Sequence, residues 1–256
     1  MKQPKTYAFL TGAVLVIAGI AGVFLTRQAA IAPDASAGNK AVFAVSLILT
    51  ILGVVTAIAA CLPHRTPDTR TLTMAAMFAA LCYIGFTFFK IDIPVGTEKT
   101  AFHLGNVFCV LAALFLGGFW GGMSGAVGMT IADLTTAYVT SAPKTFVLKL
   151  CIGLITGLVA HKVFKISQEN HSKRHTTVST ILSCAAGMAF NVVADPLVGY
   201  FYKMYIMGVP QKAADAWAKM GAATTLVNAI IAVIAASILY AALRPALKRA
   251  NLFPTL

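Results

Sequence analysis

Charged and amide side chains occur within apolar stretches of this sequence, where their burial needs a partner. Asp133 and Lys149 lie on either side of a short polar turn, and Asp195 lies in a later apolar stretch. An Asp or Lys near the centre of a bilayer costs roughly 2.5–3.5 kcal/mol, so such residues usually face one another, a ligand or water. The chemistry they offer is ionic recognition and hydrogen bonding. The candidate ligand contacts are His103, Asn106, Asp133, Tyr138, Lys149, Asn191, Asp195 and Asn228.

The spacing of these residues places them on shared helix faces. His103 and Asn106 are three residues apart, and Asn191 and Asp195 are four apart. Residues at these spacings are neighbours on a helix surface. All the candidates fall toward the outward ends of the predicted helices, with Tyr138 at the mouth. One polar pocket open to that side explains them more economically than separate unpaired burials.

The same residues also have ordinary structural interpretations. Asp133 and Lys149 could form an ion pair that joins two helices instead of contacting a ligand. His103 could be a hydrogen-bonded histidine at the membrane interface. Asn191 and Asn228 could connect helices through hydrogen bonds. If all of these interpretations held, the chain would be a structural membrane subunit without a ligand.

The composition is that of an integral membrane protein. Of the 256 residues, 59% are hydrophobic and only 11% are charged, which is about half the usual charged share of a soluble domain. Stretches of about 20 apolar residues recur, and each is long enough as a helix to cross a hydrocarbon core of ~30 Å. We therefore predict an all-α integral membrane protein with about eight transmembrane helices.

Two domains are predicted from the breaks between these stretches. The segment PHRTPDTRT carries two prolines and two arginines and interrupts the chain. Residues 1–64 then form an N-terminal transmembrane hairpin of two helices, and residues 65–256 form a six-helix domain. Between the fourth and fifth helices lies a glycine cluster with almost no polar residue, which predicts a tight hairpin packed backbone to backbone.

Three segments are expected to be loops that face outward: residues 90–102, 139–146 and 200–219. Lys144, in the second of them, is typical of a solvated or headgroup-facing charge. Lysines and arginines outside the predicted spans are somewhat more numerous on the side of the two termini. By the positive-inside rule, this bias predicts cytoplasmic termini in a multi-pass protein of the bacterial-type cell membrane.

Other functional classes find little support in the sequence. The net charge of +12 comes from basic residues in short groups between apolar spans, which indicates contact with the lipid bilayer rather than nucleic acid. The five cysteines are scattered, and no histidine cluster has metal-binding spacing. Phosphate-binding loops, HExxH and nucleophile elbows are missing. We therefore expect no enzyme activity, no cofactor and no metal.

Small residues on the third predicted helix favour close contact with another helix. Ala75 and Ala79 are four apart, as are Ala76 and Ala80. Small residues at this spacing let helix backbones approach each other in membranes. Internal packing of the domain and contact with a partner subunit are both compatible with the pattern.

Four segments in order resemble a known family. They are HLGN at a helix start, LGGFWGGMSGAVG, ADLTTAY, and APKTFVLK leading into the next helix. Together they resemble the substrate-binding S components of energy-coupling factor (ECF) vitamin transporters, in the riboflavin-type or pyridoxine-type branch. The resemblance extends over about residues 72–243, so the N-terminal hairpin is additional to the six helices of the family.

The resemblance implies both a function and partners. An S component binds a small vitamin or precursor near the outer face, and an ATP-driven module carries it inward. That module contains an ECF transmembrane coupling subunit and two ATPase subunits, which would explain why this chain has no ATP-binding motif. Alanine faces on the first helices of the family dock on the coupling subunit. In this chain they correspond to Ala75, Ala76, Ala79 and Ala80.

The sequence leaves the ligand and one alternative open. Acidic and amide groups suit a pyridine or pyrimidine vitamin, whereas Lys149 could instead select an anion. The alternative function is an independent proton-coupled secondary transporter of a small polar metabolite, with Asp133 and Asp195 relaying protons. Such carriers often contain repeated halves, and no clear internal repeat is present.

Overall fold

The chain divides into two compact units, residues 1–64 and 65–256. The predicted N-terminal hairpin, which accounts for two of the eight predicted spans, falls for the most part outside the described residues. The structure is a computed structural model that describes residues 67–96, 98–168 and 171–250, with scattered positions between 11 and 56.

Long helices and one short β-hairpin make up the described part of the second unit. Five of its helical segments are long and apolar enough to cross a membrane, as expected for a multi-pass membrane protein. Short π-helical turns, Val159–Val163 and Tyr202–Ile206, extend two of these helices at their ends. In chain order the elements are α1 (Thr69–Thr87), β1 (Lys90–Val95), β2 (Glu98–His103), α2 (Gly105–Leu134), α3 (Ala142–Leu158), α4 (Lys173–Phe201) and α5 (Gln211–Arg249).

Helix α2 is folded back on itself and contains two of the predicted spans. Gly117 leaves the helical conformation with φ 79°, a left-handed value that glycine adopts without a Cβ penalty. A Cβ added at Gly125 would meet the Sγ of Cys109, although these residues would be about 24 Å apart along a straight helix. The tight hairpin predicted from the glycine cluster is therefore present, and its turn is at Gly117.

Glycine also brings α3 into backbone contact with α2. A Cβ added at Gly153 would collide with the Cα and N of Gly122, and one added at Gly157 would collide with the backbone of Gly118. Helices in a membrane associate through close packing because lipid provides no hydrophobic drive between them. This contact fixes the relative position of the two helices that carry most of the buried charges.

Helix α1 packs on the second arm of α2 through part of its alanine pattern. A Cβ at Gly128 would collide with the carbonyl of Ala79, and Ala75 is buried. Ala76 and Ala80 lie about 100° further round the helix and are exposed. Internal packing therefore uses one alanine pair and leaves the other on the surface of the described unit.

The segment predicted as the first outward loop is an antiparallel β-hairpin of two short strands in an otherwise helical unit. Its register pairs Lys90 with His103 and Val95 with Glu98, and Gly96 has φ 61° at the turn. Isoleucine or valine occupies every second position of KIDIPV, and this two-residue period is typical of strands. His103 thus ends β2 instead of beginning a helix.

The other two predicted loops are shorter than expected. A 3-10 turn at Val139–Ser141 leads directly into α3. Helix α5 begins at Gln211, about nine residues before the predicted start at Met220. The segment QKAADAWAK is too polar to show the pattern of an apolar span. The additional turns of α5 carry Trp217 to a polar cavity between the helices.

Candidate functional site

One cavity brings together all eight of the predicted ligand contacts. It has a volume of about 80 Å³ and is walled by β2 and by parts of α2, α3, α4 and α5. Residues that are far apart in the chain meet there, as the pocket prediction requires. Contact with a ligand remains a prediction for each of them. The predicted residues that line the cavity are His103, Asn106, Asp133, Tyr138, Lys149, Asn191, Asp195 and Asn228.

Lys144 and Asp195 form a buried ion pair between α3 and α4. The Lys144 Nζ lies 2.7 Å from Asp195 Oδ1, and the Thr225 hydroxyl donates to Asp195 Oδ2 at 3.0 Å. The Lys144 ammonium is also 5.0 Å from the ring centroid of Trp217, within the range of a cation–π contact. The expectation of a solvated Lys144 is wrong, and both carboxylate oxygens of Asp195 are occupied by protein groups.

Lys149 is buried beside a neutral partner. Its Nζ donates to Asn106 Oδ1 at 2.9 Å, and only 6% of the residue is exposed. The ion pairs found in the described segments are Lys144–Asp195 and Lys90–Asp92, so Lys149 does not pair with Asp133. The ammonium has three donors, of which this bond uses one.

Asp133 and Asn191 place unpaired oxygens at the cavity. Asp133 is 2% exposed and Asn191 is 1% exposed. Asp133 Oδ2 and Asn191 Oδ1 are buried without a hydrogen-bond partner in the described part of the chain, while Thr145 hydrogen-bonds to the Asp133 carboxylate. Leaving a buried acceptor unsatisfied costs about 1–3 kcal/mol. These oxygens are therefore the strongest candidates for contact with a ligand.

Asn228 uses its side chain to hold β2 against α5. Its Nδ2 donates to the carbonyl of Ala101 at 2.9 Å, and its Oδ1 accepts from the backbone N–H of His103 at 3.0 Å. Two further side chains on α5 assist: Trp217 Nε1 donates to the carbonyl of Lys99, and Thr224 shares a hydrogen bond with Thr100. Asn228 thus positions a wall of the cavity.

We expect Asn228→Ala to destabilise the protein even without ligand. The substitution leaves the Ala101 carbonyl and the His103 N–H unpaired, at a cost of about 1–3 kcal/mol. The melting temperature of the detergent-purified, ligand-free protein measures this loss. Asn191→Ala is the matched control, because it removes an oxygen that has no partner and should leave that temperature nearly unchanged. Equal losses in the two variants would contradict the positioning role.

His103 and Tyr138 lie together at one side of the cavity against Phe86. Both rings meet the Phe86 ring edge to face. Burial, and then the positive charge of Lys149, lowers the pKa of His103 to about 3, so its imidazole is neutral near pH 7 and its buried Nδ1 has no partner among the described residues. The Tyr138 hydroxyl donates to Asp92 at 2.8 Å, and burial raises the pKa of Tyr138.

Several cavity residues were not predicted from the sequence. Trp217 lies in a segment where the sequence predicts a loop, and Lys99 and Thr100 lie in a segment where it predicts no strand. Thr145 is a hydroxyl residue within a predicted span, where threonine is common. Thr225 differs from these, because it is three residues from Asn228 and therefore shares a predicted helix face with it.

A comparison with protein families assigns the chain. The family model described as ECF-type riboflavin transporter, S component, matches residues 67–245, which is more than half of the chain and includes every wall of the cavity. The chain belongs to this S component family. An S component is a transport subunit and not an enzyme. The comparisons with curated proteins and with solved structures give no match. The family resemblance seen in the four sequence segments is thus confirmed, without a distinction between its riboflavin and pyridoxine branches.

Proposed function

We propose that this S component is the substrate-binding subunit of an ECF-type importer and holds a small vitamin or vitamin precursor in the cavity. The observation that carries the proposal is the set of unpaired polar atoms there. Asp133 Oδ2, Asn191 Oδ1 and His103 Nδ1 have no partner in the described segments, and Lys149 has donors to spare. A ligand that satisfies them together removes several desolvation costs at once.

A thermal-shift screen tests this proposal directly. The detergent-purified protein is heated with individual B vitamins, their precursors and small carboxylates. Binding to the folded state adds RT ln(1 + [L]/Kd), about 2.7 kcal/mol at a hundredfold excess over Kd. We expect at least one compound to raise the melting temperature, and Asp133→Ala and Asn191→Ala to lose that rise.

The exposed residue Lys212, at the start of α5, provides a control for the screen. It does not line the cavity, so Lys212→Ala should keep the full ligand-induced rise. If no compound stabilises the protein, or if the rise persists in both Asp133→Ala and Asn191→Ala, the cavity is not the ligand site.

The proposal includes delivery of the ligand to an ECF coupling module. Family membership supports a transmembrane coupling subunit and two ATPase subunits as partners. Separate ATPase subunits also agree with the sequence, which has no nucleotide-binding motif of its own. The positive-inside bias supports cytoplasmic termini in the cell membrane. With that orientation the cavity opens toward the outer face, where a ligand is captured before inward transport.

Ala76 and Ala80 are the proposed contacts with the coupling subunit. They are exposed on α1, whereas Ala75 and Ala79 are used within the unit. The docking role predicted for all four alanines is therefore proposed for the exposed pair. Small side chains at this spacing permit the close approach of a partner helix.

We expect Ala76→Leu to reduce copurification of the coupling subunit and ATPases by tenfold or more without changing ligand binding. The larger side chain holds the partner helix away from α1. Ala241→Leu is the control, because Ala241 is exposed on α5. Undiminished copurification with Ala76→Leu would contradict the docking site. Uptake into liposomes by this chain alone, driven by a proton gradient, would contradict the importer proposal.

A further inference from the structure

The hydrogen-bonding groups left over in the cavity define the polarity of its ligand. Lys144 and Asp195 neutralise each other at 2.7 Å. Lys149 forms no ion pair with a carboxylate of the described residues and donates to a neutral amide oxygen. Asp133 and Asn191 each present a buried oxygen that has no partner there. An ammonium and two acceptors therefore face the same space.

These groups complement a dipolar ligand. No carboxylate of the described residues lies within 4.0 Å of the Lys149 ammonium, and an anionic ligand group would form a short, charge-assisted hydrogen bond with it. The free oxygens of Asp133 and Asn191 accept only from N–H or O–H donors. A neutral ligand with donors satisfies these two oxygens and leaves Lys149 without a hydrogen-bonded anion. A ligand with an anionic group and separate donors satisfies all three residues.

The size of the cavity restricts the ligand further. A water molecule needs about 10–15 Å³ of such space, so the cavity volume of about 80 Å³ has room for roughly five to eight waters. A small substituted ring suits this space better than the tricyclic isoalloxazine of riboflavin.

The walls of the cavity are held by contacts that resist enlargement. On one side, Trp217 and Asn228 fix β2 to α5 by hydrogen bonds to its backbone. On another, the backbones of α2 and α3 touch at Gly122 and Gly153. Widening the cavity for a tricyclic ligand would break these hydrogen bonds or separate helices that have no side chain between them.

We infer that the ligand is a single-ring molecule with an anionic group at one end and hydrogen-bond donors at the other, and that Lys149 selects the anion. The inference rests on the proposed function, since it names the substrate class of the same cavity. The family model is described as that of a riboflavin transporter, and a single-ring ligand would distinguish this chain from that description. Lys149 is a specificity-determining residue, and Asp133 and Asn191 receive the donors.

Matched compounds test the charge, the donors and the size separately. The probes are the single-ring acids 4-aminobenzoate and orotate, which carry N–H donors, their neutral amides 4-aminobenzamide and orotamide, benzoate, which lacks a donor, and riboflavin. Kd is measured by calorimetry on the detergent-purified full chain. We expect at least one acid to bind tenfold or more tightly than its amide, 4-aminobenzoate to exceed benzoate, and riboflavin to bind more weakly than the best acid.

Lysine variants test whether Lys149 is the residue that selects the anion. Lys149→Met should reduce the preference for acid over amide to less than threefold while the protein remains folded by size-exclusion chromatography. Lys212→Met is the control, because Lys212 is exposed on α5 and does not line the cavity, and it should keep the preference. Should Lys149→Met fail to fold, Lys149→Arg, which keeps the charge, must retain the preference.

The outcomes distinguish this inference from the proposed function. Three results would overturn the inference and leave the importer proposal intact. The first is tight binding of riboflavin. The second is a preference for acid over amide that survives in Lys149→Met or disappears in Lys149→Arg, and the third is binding of a vitamin when no single-ring acid binds. If neither these probes nor any compound of the vitamin screen binds, the proposed function fails as well.

Discussion

Gly153→Ala is expected to cause the largest loss of stability among single substitutions in α3. The added Cβ would collide with the Cα and N of Gly122, so the methyl group meets backbone and cannot be relieved by a rotamer change. Overpacking of this kind costs typically 1–3 kcal/mol and sometimes more, and a contact between two backbones belongs at the upper end. We expect a loss of about 3 kcal/mol, measured as a fall in the melting temperature in detergent.

Gly221→Ala is the matched control on α5. Its nearest neighbours would be Trp217 ring atoms at 3.6 Å, an ordinary van der Waals distance, and its φ is not in the left-handed region. Alanine is favoured over glycine within a helix by roughly 0.8–1.0 kcal/mol, so this variant should be as stable as the parent or more stable. A similar fall in both variants would mean that helix packing at Gly153 is not the cause.

Asp195→Ala is expected to have the second largest effect. The substitution leaves the Lys144 ammonium without its carboxylate at 2.7 Å, in a side chain that is 8% exposed. Breaking one partner of a buried pair costs about 3–5 kcal/mol. Because the Asp195 side chain is 21% exposed, solvent reduces the cost toward the lower limit, about 3 kcal/mol. Thermal unfolding of the ligand-free protein measures it.

The double variant Lys144→Met with Asp195→Leu separates a charge effect from a loss of packing. Replacing both members of a buried pair by apolar residues is often neutral or stabilising. We therefore expect the double variant to unfold at a higher temperature than Asp195→Ala. The coupling obtained from a full double-mutant cycle should exceed 1 kcal/mol, within the usual range for contacting residues. Additive losses would show that the pair contributes no specific stability.

The membrane class and the hairpin of α2 were predictable because both depend on local composition. A run of apolar residues long enough to span lipid is visible in the sequence. Glycine repeated at four-residue spacing from Gly117 to Gly125 indicates close helix contact wherever it occurs in a membrane segment. The β-hairpin and the early start of α5 were missed. A two-residue period in a short polar segment, and a polar helix end, are both weak signals against the long apolar spans around them.

The residues of the site were predictable, but their separate roles were not. A charged or amide residue in an apolar span is conspicuous by type alone, which is why all eight candidates line one cavity. Spacing along one helix cannot reveal a partner on another. The sequence offered Asp133 as the partner of Lys149, yet the ion pair joins Lys144 and Asp195. It also could not show that Asn228 binds the backbone of β2.

The sequence by itself determined that this chain is a helical membrane protein of the S component family, and it predicted eight of the polar residues that line the cavity. Hydropathy and motif order are properties of the chain, and they do not depend on how helices cross. Only the tertiary structure decided which of those residues satisfy one another and which remain unpaired. That division depends on a few ångströms between α2, α3, α4 and α5, and glycine contacts between backbones set the spacing of α2 and α3. It leaves Asp133, Asn191 and Lys149 facing the cavity with unused hydrogen-bonding capacity.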